Sequence, residues 1–419
     1  MFFKSCKVPK LLILILISVF LLVLGTFISG TILTPYAEQL GATWFQIGIL
    51  SGGMYAVRFF VGTPVGRLSD RKGPLTVLKY SLILYPIIAI AYWSASNIYF
   101  LLGARFLHGI ASAMMLPVAM AYIGQISPGG MEGRYMSLYN ASVLIASGIG
   151  PFISSIITDY YNDYKVTFLS LFAFSLAALL IVLLLGKEGE IKSITYIVDN
   201  PVLNRESKIK EARNTSNPGR ALFLLTNKRL MALGFMNIAL AVISSLVGFF
   251  IVPYLIVKDM GLLFIGSIIA VYNIVSGVAQ VFWGKLTDKY DKFYMVLIFG
   301  IISACSLFII PLLDNILFVA VAMVITALAS SAVLSAASAL STLVGRDTGM
   351  GSTMGFLSTF NSIGMVAGCI SLSLVPEIGF SYNWFFYLAS IVIIINVILF
   401  TIYWLAKAPT GILNIKGGK

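Results

Sequence analysis

Charge is scarce in this chain. Of its 419 residues only 11% are Asp, Glu, Lys or Arg, against roughly a quarter in an ordinary soluble domain, so a fully solvated polar surface is excluded. Histidine occurs once, as His108, and cysteine three times, as Cys6, Cys305 and Cys369. A single imidazole rules out a histidine-rich metal centre, and cysteines so far apart give neither a disulfide framework nor a metal-ligand spacing. No Ser/His/Asp arrangement is visible either. Little is left from which to build a catalytic centre, so the expectation is a protein that is not an enzyme and needs no cofactor or metal. Carboxylates are missing from the middle of every apolar run. Glu38, Asp159, Asp163, Asp259, Asp314 and Glu377 fall at one set of polar breaks, and all other acids at the alternate set.

What the chain has in abundance is apolar surface: 59% of residues are hydrophobic and the mean hydropathy is +0.97. Stretches long enough to cross a bilayer as helix, about 20 residues, recur from one end to the other. The first, Leu11 to about Thr34, follows a basic tail but is too long for a signal-peptide core and lacks an A-x-A site, so it reads as an uncleaved span. Cutting at polar breaks predicts an all-α membrane protein of twelve transmembrane helices. The longest break, Lys187 to Arg229, has no sustained apolar face and reads as a linker. The expected organisation is therefore a six-helix bundle over 1–186, a linker over 187–229 and a second six-helix bundle over 230–419.

Net charge is +12, which in a soluble protein would raise the question of nucleic acid. The cations answer it by position. If the N-terminus is cytoplasmic, every Lys and Arg except Arg58, Arg105, Lys165 and Lys258 lies in a segment on the inner side. That asymmetry is what the positive-inside rule requires. Both termini are expected in the cytoplasm, with the lipid bilayer as partner and no nucleic acid.

Between two apolar runs stands Gly66-Arg67-Leu68-Ser69-Asp70-Arg71-Lys72-Gly73-Pro74, and a weaker copy, Gly284-Lys285-Leu286-Thr287-Asp288-Lys289, lies 218 residues further on. The same ungapped offset pairs Pro35 with Pro253, Tyr36 with Tyr254, Gly133 with Gly351 and Gly150 with Gly368. Two halves of six helices that both start inside make a parallel repeat, the relation found between transporter halves. Topology and tight turns account for the cations and glycines of the motif, but not for an aspartate repeated in both halves.

At this point the chain resembles the major facilitator superfamily. Its loop signature, approximately G-x-L-x-D-R-x-G-R-[RK], is matched by Gly66, Leu68, Asp70, Arg71 and Gly73, with Pro74 in place of the usual cation; Gly284, Leu286 and Asp288 keep part of it. Arg105 to Gly109 is similar to the family's R-x-x-x-G element. Ala146 to Pro151 is similar to the G-x-x-x-G-P element of drug/proton antiporters, with Ala146 replacing the first glycine and Gly150-Pro151 retained as an expected helix bend. The resemblance implies two bundles rocking about a central site. It also implies a conformational latch of Gly66, Asp70, Arg71, Gly73, Gly284 and Asp288, in which each aspartate faces a helix start in the other half, near Gly351 and Gly133. A passive turn remains the competing reading.

Arg105 and His108 share a helical face, and an arginine within a span usually faces a cavity or a partner. Arg58 has the same status. With Asn140, Asn237 and Asn273 these form the candidate substrate or coupling set, although carbonyl contacts, a packed neutral histidine and ordinary interhelical hydrogen bonds would explain each alone. The function expected is secondary transport of a small amphipathic or hydrophobic solute by alternating access in the plasma membrane, as proton-coupled efflux by a monomer. A proton would have to use His108 or an edge acid such as Glu38 or Asp159. The competing expectation is a polar metabolite such as a sugar or an organic anion, with Arg58 and Arg105 as anion contacts.

Overall fold

A computed structural model describes residues 10–184, 226–258, 262–377 and 381–406; most of the expected linker and both chain ends lie outside them. Among the described residues there is no strand. In chain order the helices are α1 (Lys10–Thr31), α2 (Leu33–Gln39), α3 (Trp44–Lys72), α4 (Pro74–Ser94), α5 (Ile98–Ile126), α6 (Glu132–Tyr161) and α7 (Tyr164–Leu184). They continue with α8 (Lys228–Ser245), α9 (Ile251–Val257), α10 (Leu262–Lys289), α11 (Lys292–Ile309), α12 (Ile316–Thr348), α13 (Met350–Glu377) and α14 (Trp384–Leu405). A π-helical turn, Leu246–Phe250, joins α8 to α9.

Helix starts are written in the sequence as short polar residues ahead of apolar runs. Thr43 and Gln46 form a reciprocal capping box at α3, Asn97 accepts from the Phe100 N–H at α5, and Asn227, Asp291 and Asn315 do the same for α8, α11 and α12. Ten helices are long and apolar enough to cross a membrane among the described residues, and side chains such as Ile87, Ile90, Leu183, Ile398 and Ile402 are about half exposed. Large aliphatic groups facing outward on several helices are what a bilayer solvates; the protein is a multi-pass membrane protein.

Two buried clusters form the interior, one drawn from Leu12 to Val182 and the other from Leu230 to Phe400. The seam between them is made mainly by α3 against α13 and by α6 against α10. α3 and α13 are not among the helices apolar enough to be recognised as spans on composition, in keeping with a life against each other rather than against lipid. A third small cluster, Ala121 with Met350 and Met354, bridges the halves.

The repeated motif differs from its expected loop. Gly66 to Lys72 continues α3 without a break, and only Gly73, at φ +84°, turns the chain into α4, with Pro74 at the first helical position. Leu286 to Lys289 likewise completes α10. Nothing in either stretch stops a helix until a glycine with positive φ or a new N-cap arrives. The glycines Gly66 and Gly284 therefore do not turn the backbone; they let two helices touch. A Cβ on Gly66 would run into the Gly351 carbonyl oxygen, and one on Gly284 would stand 2.8 Å from the Ser137 Cβ. The reciprocal positions are glycine too: a Cβ on Gly133 would lie 2.9 Å from the Gly284 carbonyl oxygen. Gly150 has the same use within the first cluster, where its missing Cβ would meet Phe27 at 2.6 Å. Pro151 lies inside α6, which is helical on both sides of it; its missing N–H leaves the Ser147 carbonyl without the usual i+4 donor.

Candidate functional site

The seam carries one basic end, with Arg67, Arg71, Lys72, Arg134, Lys285, Lys289, Lys292 and Arg346 at the helix termini. There the two aspartates do equivalent things. Asp70 accepts from the backbone N–H groups of Gly351 at 2.7 Å and Ser352 at 2.8 Å, and from the Ser352 hydroxyl. Asp288 accepts from the N–H groups of Gly133 at 2.7 Å and Arg134 at 3.0 Å. Each carboxylate thus satisfies two of the four orphan donors at the start of a helix in the other half, α13 and α6, and sits at the positive end of that helix's dipole. The four glycines explain why the carboxylates can reach: the helices approach at Gly66/Gly351 and Gly284/Gly133, one turn from each aspartate. Gly73 shapes the turn behind Asp70. Arg71 is exposed and makes no hydrogen bond or ion pair among the described residues, so it stands outside this contact.

A third bridge at the same end has no repeat partner. Arg346 Nη1 lies 2.6 Å from Glu132 Oε1, and Arg346 Nη2 donates to the Ser127 carbonyl at 2.8 Å. Glu132 is only 2% exposed and is the residue just before the N–H groups that Asp288 accepts from. Arg346 neutralises it. Sequence reasoning assigned both residues to topology alone; the offset maps Glu132 to Met350 and Arg346 to Pro128, so the repeat carries no signal for this pair. Ser352 was missed as well, and the signal for it was a small hydroxyl residue in the first turn after Gly349. Deeper along the seam, Ser137, Ser335 and Thr287 share hydrogen bonds at 2.6 and 2.9 Å, and Asn140 Nδ2 donates to Ser338 Oγ at 3.1 Å.

The interior cations part company. Arg58, midway along α3, donates from Nε to Ser358 Oγ on α13 at 2.9 Å, with Tyr55, Tyr139 and Tyr85 in electrostatic reach. Arg105 donates from Nε to the Leu50 carbonyl at 3.0 Å and stands beside Tyr92, tying α5 to α3. His108 lies 1% exposed between the rings of Tyr85 and Tyr92, with Nδ1 3.0 Å from the Tyr92 hydroxyl. Its Nε2 is buried with no partner. Asn237 and Asn273 each donate to a carbonyl one turn back, on Leu233 and Ile269. Of the interior candidates, Arg58 and Asn140 hydrogen-bond to residues of the other half, and the Asn273 side chain packs beside Gly148. His108 is sealed within the first cluster.

A family model described as Major Facilitator Superfamily matches residues 15–262 and again 233–419. An uncharacterized MFS-type transporter of Methanocaldococcus jannaschii, MJ1560, is 27% identical over 393 residues, covering 94% of this chain and 98% of that protein. The quinolone resistance protein NorA of Staphylococcus aureus is 24% identical over 151 residues, 35% of this chain and 39% of NorA. Among solved structures, the proton:xylose symporter XylE bound to 6-bromo-6-deoxy-D-glucose superposes with a TM-score of 0.77 at 11% identity, covering 95% of both chains; that likeness is one of fold.

Proposed function

The chain belongs to the Major Facilitator Superfamily, and from that premise we propose that it moves a small amphipathic solute out of the cell by alternating access, with Asp70 and Asp288 latching the cytoplasmic side shut. In this reading twelve spans form two six-helix bundles joined by the 187–229 linker, and the basic end of the seam faces the cytoplasm, as the positive-inside rule asks. The observation that carries it is the mirrored pair of carboxylates on helix starts across the seam. A contact of this kind exists only while the two halves are together at that end, so its free energy biases the inward-closed state. Efflux is favoured over uptake by the partial likeness to NorA.

Proton coupling belongs to the same proposal. Among the described residues no carboxylate lies between the latch and the opposite edge of the spans, and His108 is shut away from water. The proton route therefore runs through exposed edge acids such as Glu38 and Asp159 or travels with the cargo. The test is counterflow in proteoliposomes with and without a pH gradient, using ethidium, 2-naphthalenemethanol and 2-naphthoate as cationic, neutral and anionic amphipathic probes. Saturable counterflow of one of them, accelerated by the gradient, is expected. Absence of saturable counterflow for every probe overturns the reading.

A further inference from the structure

We infer that Arg58 receives an anionic group of the cargo, so that the substrate class is an amphipathic organic anion; this rests on the transport reading and deepens it. Arg58 stands fourteen residues from either end of α3, roughly 21 Å at helical rise, the depth at which a charged side chain is least welcome in a membrane protein. Its Nε is held by Ser358 Oγ at 2.9 Å. That single anchor leaves both terminal nitrogens of the guanidinium without a partner among the described residues, and Arg58 as a whole is only partly buried.

Ser358 is on α13, Tyr139 on α6, Tyr85 on α4 and Tyr55 on Arg58's own helix. Arg58 therefore stands at the seam between the halves, among residues of α3, α4, α6 and α13. The Tyr139 hydroxyl is already committed to the Leu116 carbonyl at 2.9 Å, so it supplies a ring rather than an anion.

Among the described residues no carboxylate answers Arg58. All acids within the described helices lie at their ends, and the salt bridge between Arg346 and Glu132 belongs to the basic end. Arg105 is a contrast, since the Leu50 carbonyl and the Tyr92 hydroxyl tie it into the first cluster. A guanidinium with Nε anchored and two terminal N–H₂ groups unpartnered among the described residues offers a fork that a carboxylate or sulfonate fits in bidentate fashion. Tyrosine rings beside it take the apolar body of such a molecule. A cationic cargo would meet unscreened repulsion there, and a neutral one would leave the charge unanswered.

The test is ligand-dependent melting and equilibrium binding of the purified full-length protein in phosphatidylcholine nanodiscs. The probes are 2-naphthoate, its uncharged analogue 2-naphthalenemethanol and the cation 2-naphthalenemethylammonium. Wild type is expected to bind the carboxylate at least tenfold more tightly than the alcohol. Arg58→Gln should lose that preference and Arg58→Lys should keep part of it. Without ligand, Arg58→Gln should melt no lower than wild type, because it removes an unanswered charge; a lower melting temperature would mark a structural arginine and count against the site. Equal binding of the carboxylate by wild type and Arg58→Gln, or no preference for it in wild type, overturns the inference. Charge-selective binding that depends on Arg58 but produces no counterflow keeps the anion site and sinks the transport reading instead.

Discussion

Replacing Asp70 with Asn tests the latch at its strongest point. The carboxylate accepts two backbone N–H groups and one hydroxyl from Gly351 and Ser352. Asparagine keeps the shape, loses the charge and turns one acceptor into an N–H₂ aimed at a backbone donor. Loss of the charge at the start of α13 costs up to ~2 kcal/mol in a partly buried setting, and the backbone N–H left without an acceptor adds about 1 kcal/mol or more. In the inward-open state the same groups exchange with water, so the whole cost of roughly 3 kcal/mol falls on the closed state. That is about a hundredfold shift in population: a protein resting near 99:1 closed would approach 1:1. Nitroxides at Lys72 and Tyr290, exposed on opposite sides of the basic end, in a background lacking Cys6, Cys305 and Cys369, report the change by electron–electron double resonance. A new long-distance population is expected in Asp70→Asn, and a similar but smaller one in Asp288→Asn, which lacks a serine hydroxyl. Distance distributions that coincide with wild type would refute the reasoning.

Three further outcomes follow from the same seam and its neighbourhood. Arg346→Met leaves Glu132 buried, charged and beside Asp288; breaking such a pair costs about 3 kcal/mol, so the same label pair should show opening comparable to Asp70→Asn, while Glu132→Gln with Arg346→Met should recover most of the closed population. Gly66→Ala drives a methyl into the Gly351 carbonyl and should destabilise closure by about 1–3 kcal/mol, whereas Gly30→Ala, where nothing lies within 4 Å, should leave the distance distribution unchanged. His108→Asn gives up the contact to the Tyr92 hydroxyl and the packing between two rings, lowering thermal stability by about 1–3 kcal/mol, yet the pH dependence of counterflow should match wild type; a profile that loses its pH dependence would make His108 the proton carrier.

The α-helical membrane architecture was legible because bilayer thickness and the positive-inside rule act on composition alone. The contact partners of the two aspartates were legible for a different reason: an internal repeat turns one half into a map of the other, so that Gly351 and Gly133 could be named from Asp70 and Asp288. Where the halves diverge the map is blank, which is why the Glu132 to Arg346 bridge had to be seen. Side-chain destination was the other blind spot. His108 and Arg105 share a helical face, but whether that face meets a void or Tyr85 and Tyr92 is decided by helices far away in sequence. Gly73 is a turn residue as expected, but Gly66 and Gly284 were misread as such because Gly next to charge looks the same in a loop and at a helix crossing; only the close approaches of Gly66 to Gly351 and of Gly284 to Ser137 separate the two.

The divergence between halves also bears on how the seam opens. Asp70 holds α13 with three acceptor contacts, while Asp288 holds α6 with two and shares the helix start with Glu132. A like charge beside Asp288 weakens its hold, and Arg346 restores it by neutralising Glu132 from the end of α12. On the proposed latch reading, the α6 side is therefore conditional on a second residue, Arg346. Any event that draws Arg346 away releases two contacts at once, since Glu132 then repels Asp288 and the helix start loses both caps. Opening that begins at α6 and α10 and finishes at α3 and α13 follows from that order of strengths. It also keeps Arg58, whose anchor Ser358 sits on α13, engaged across the seam until the later step.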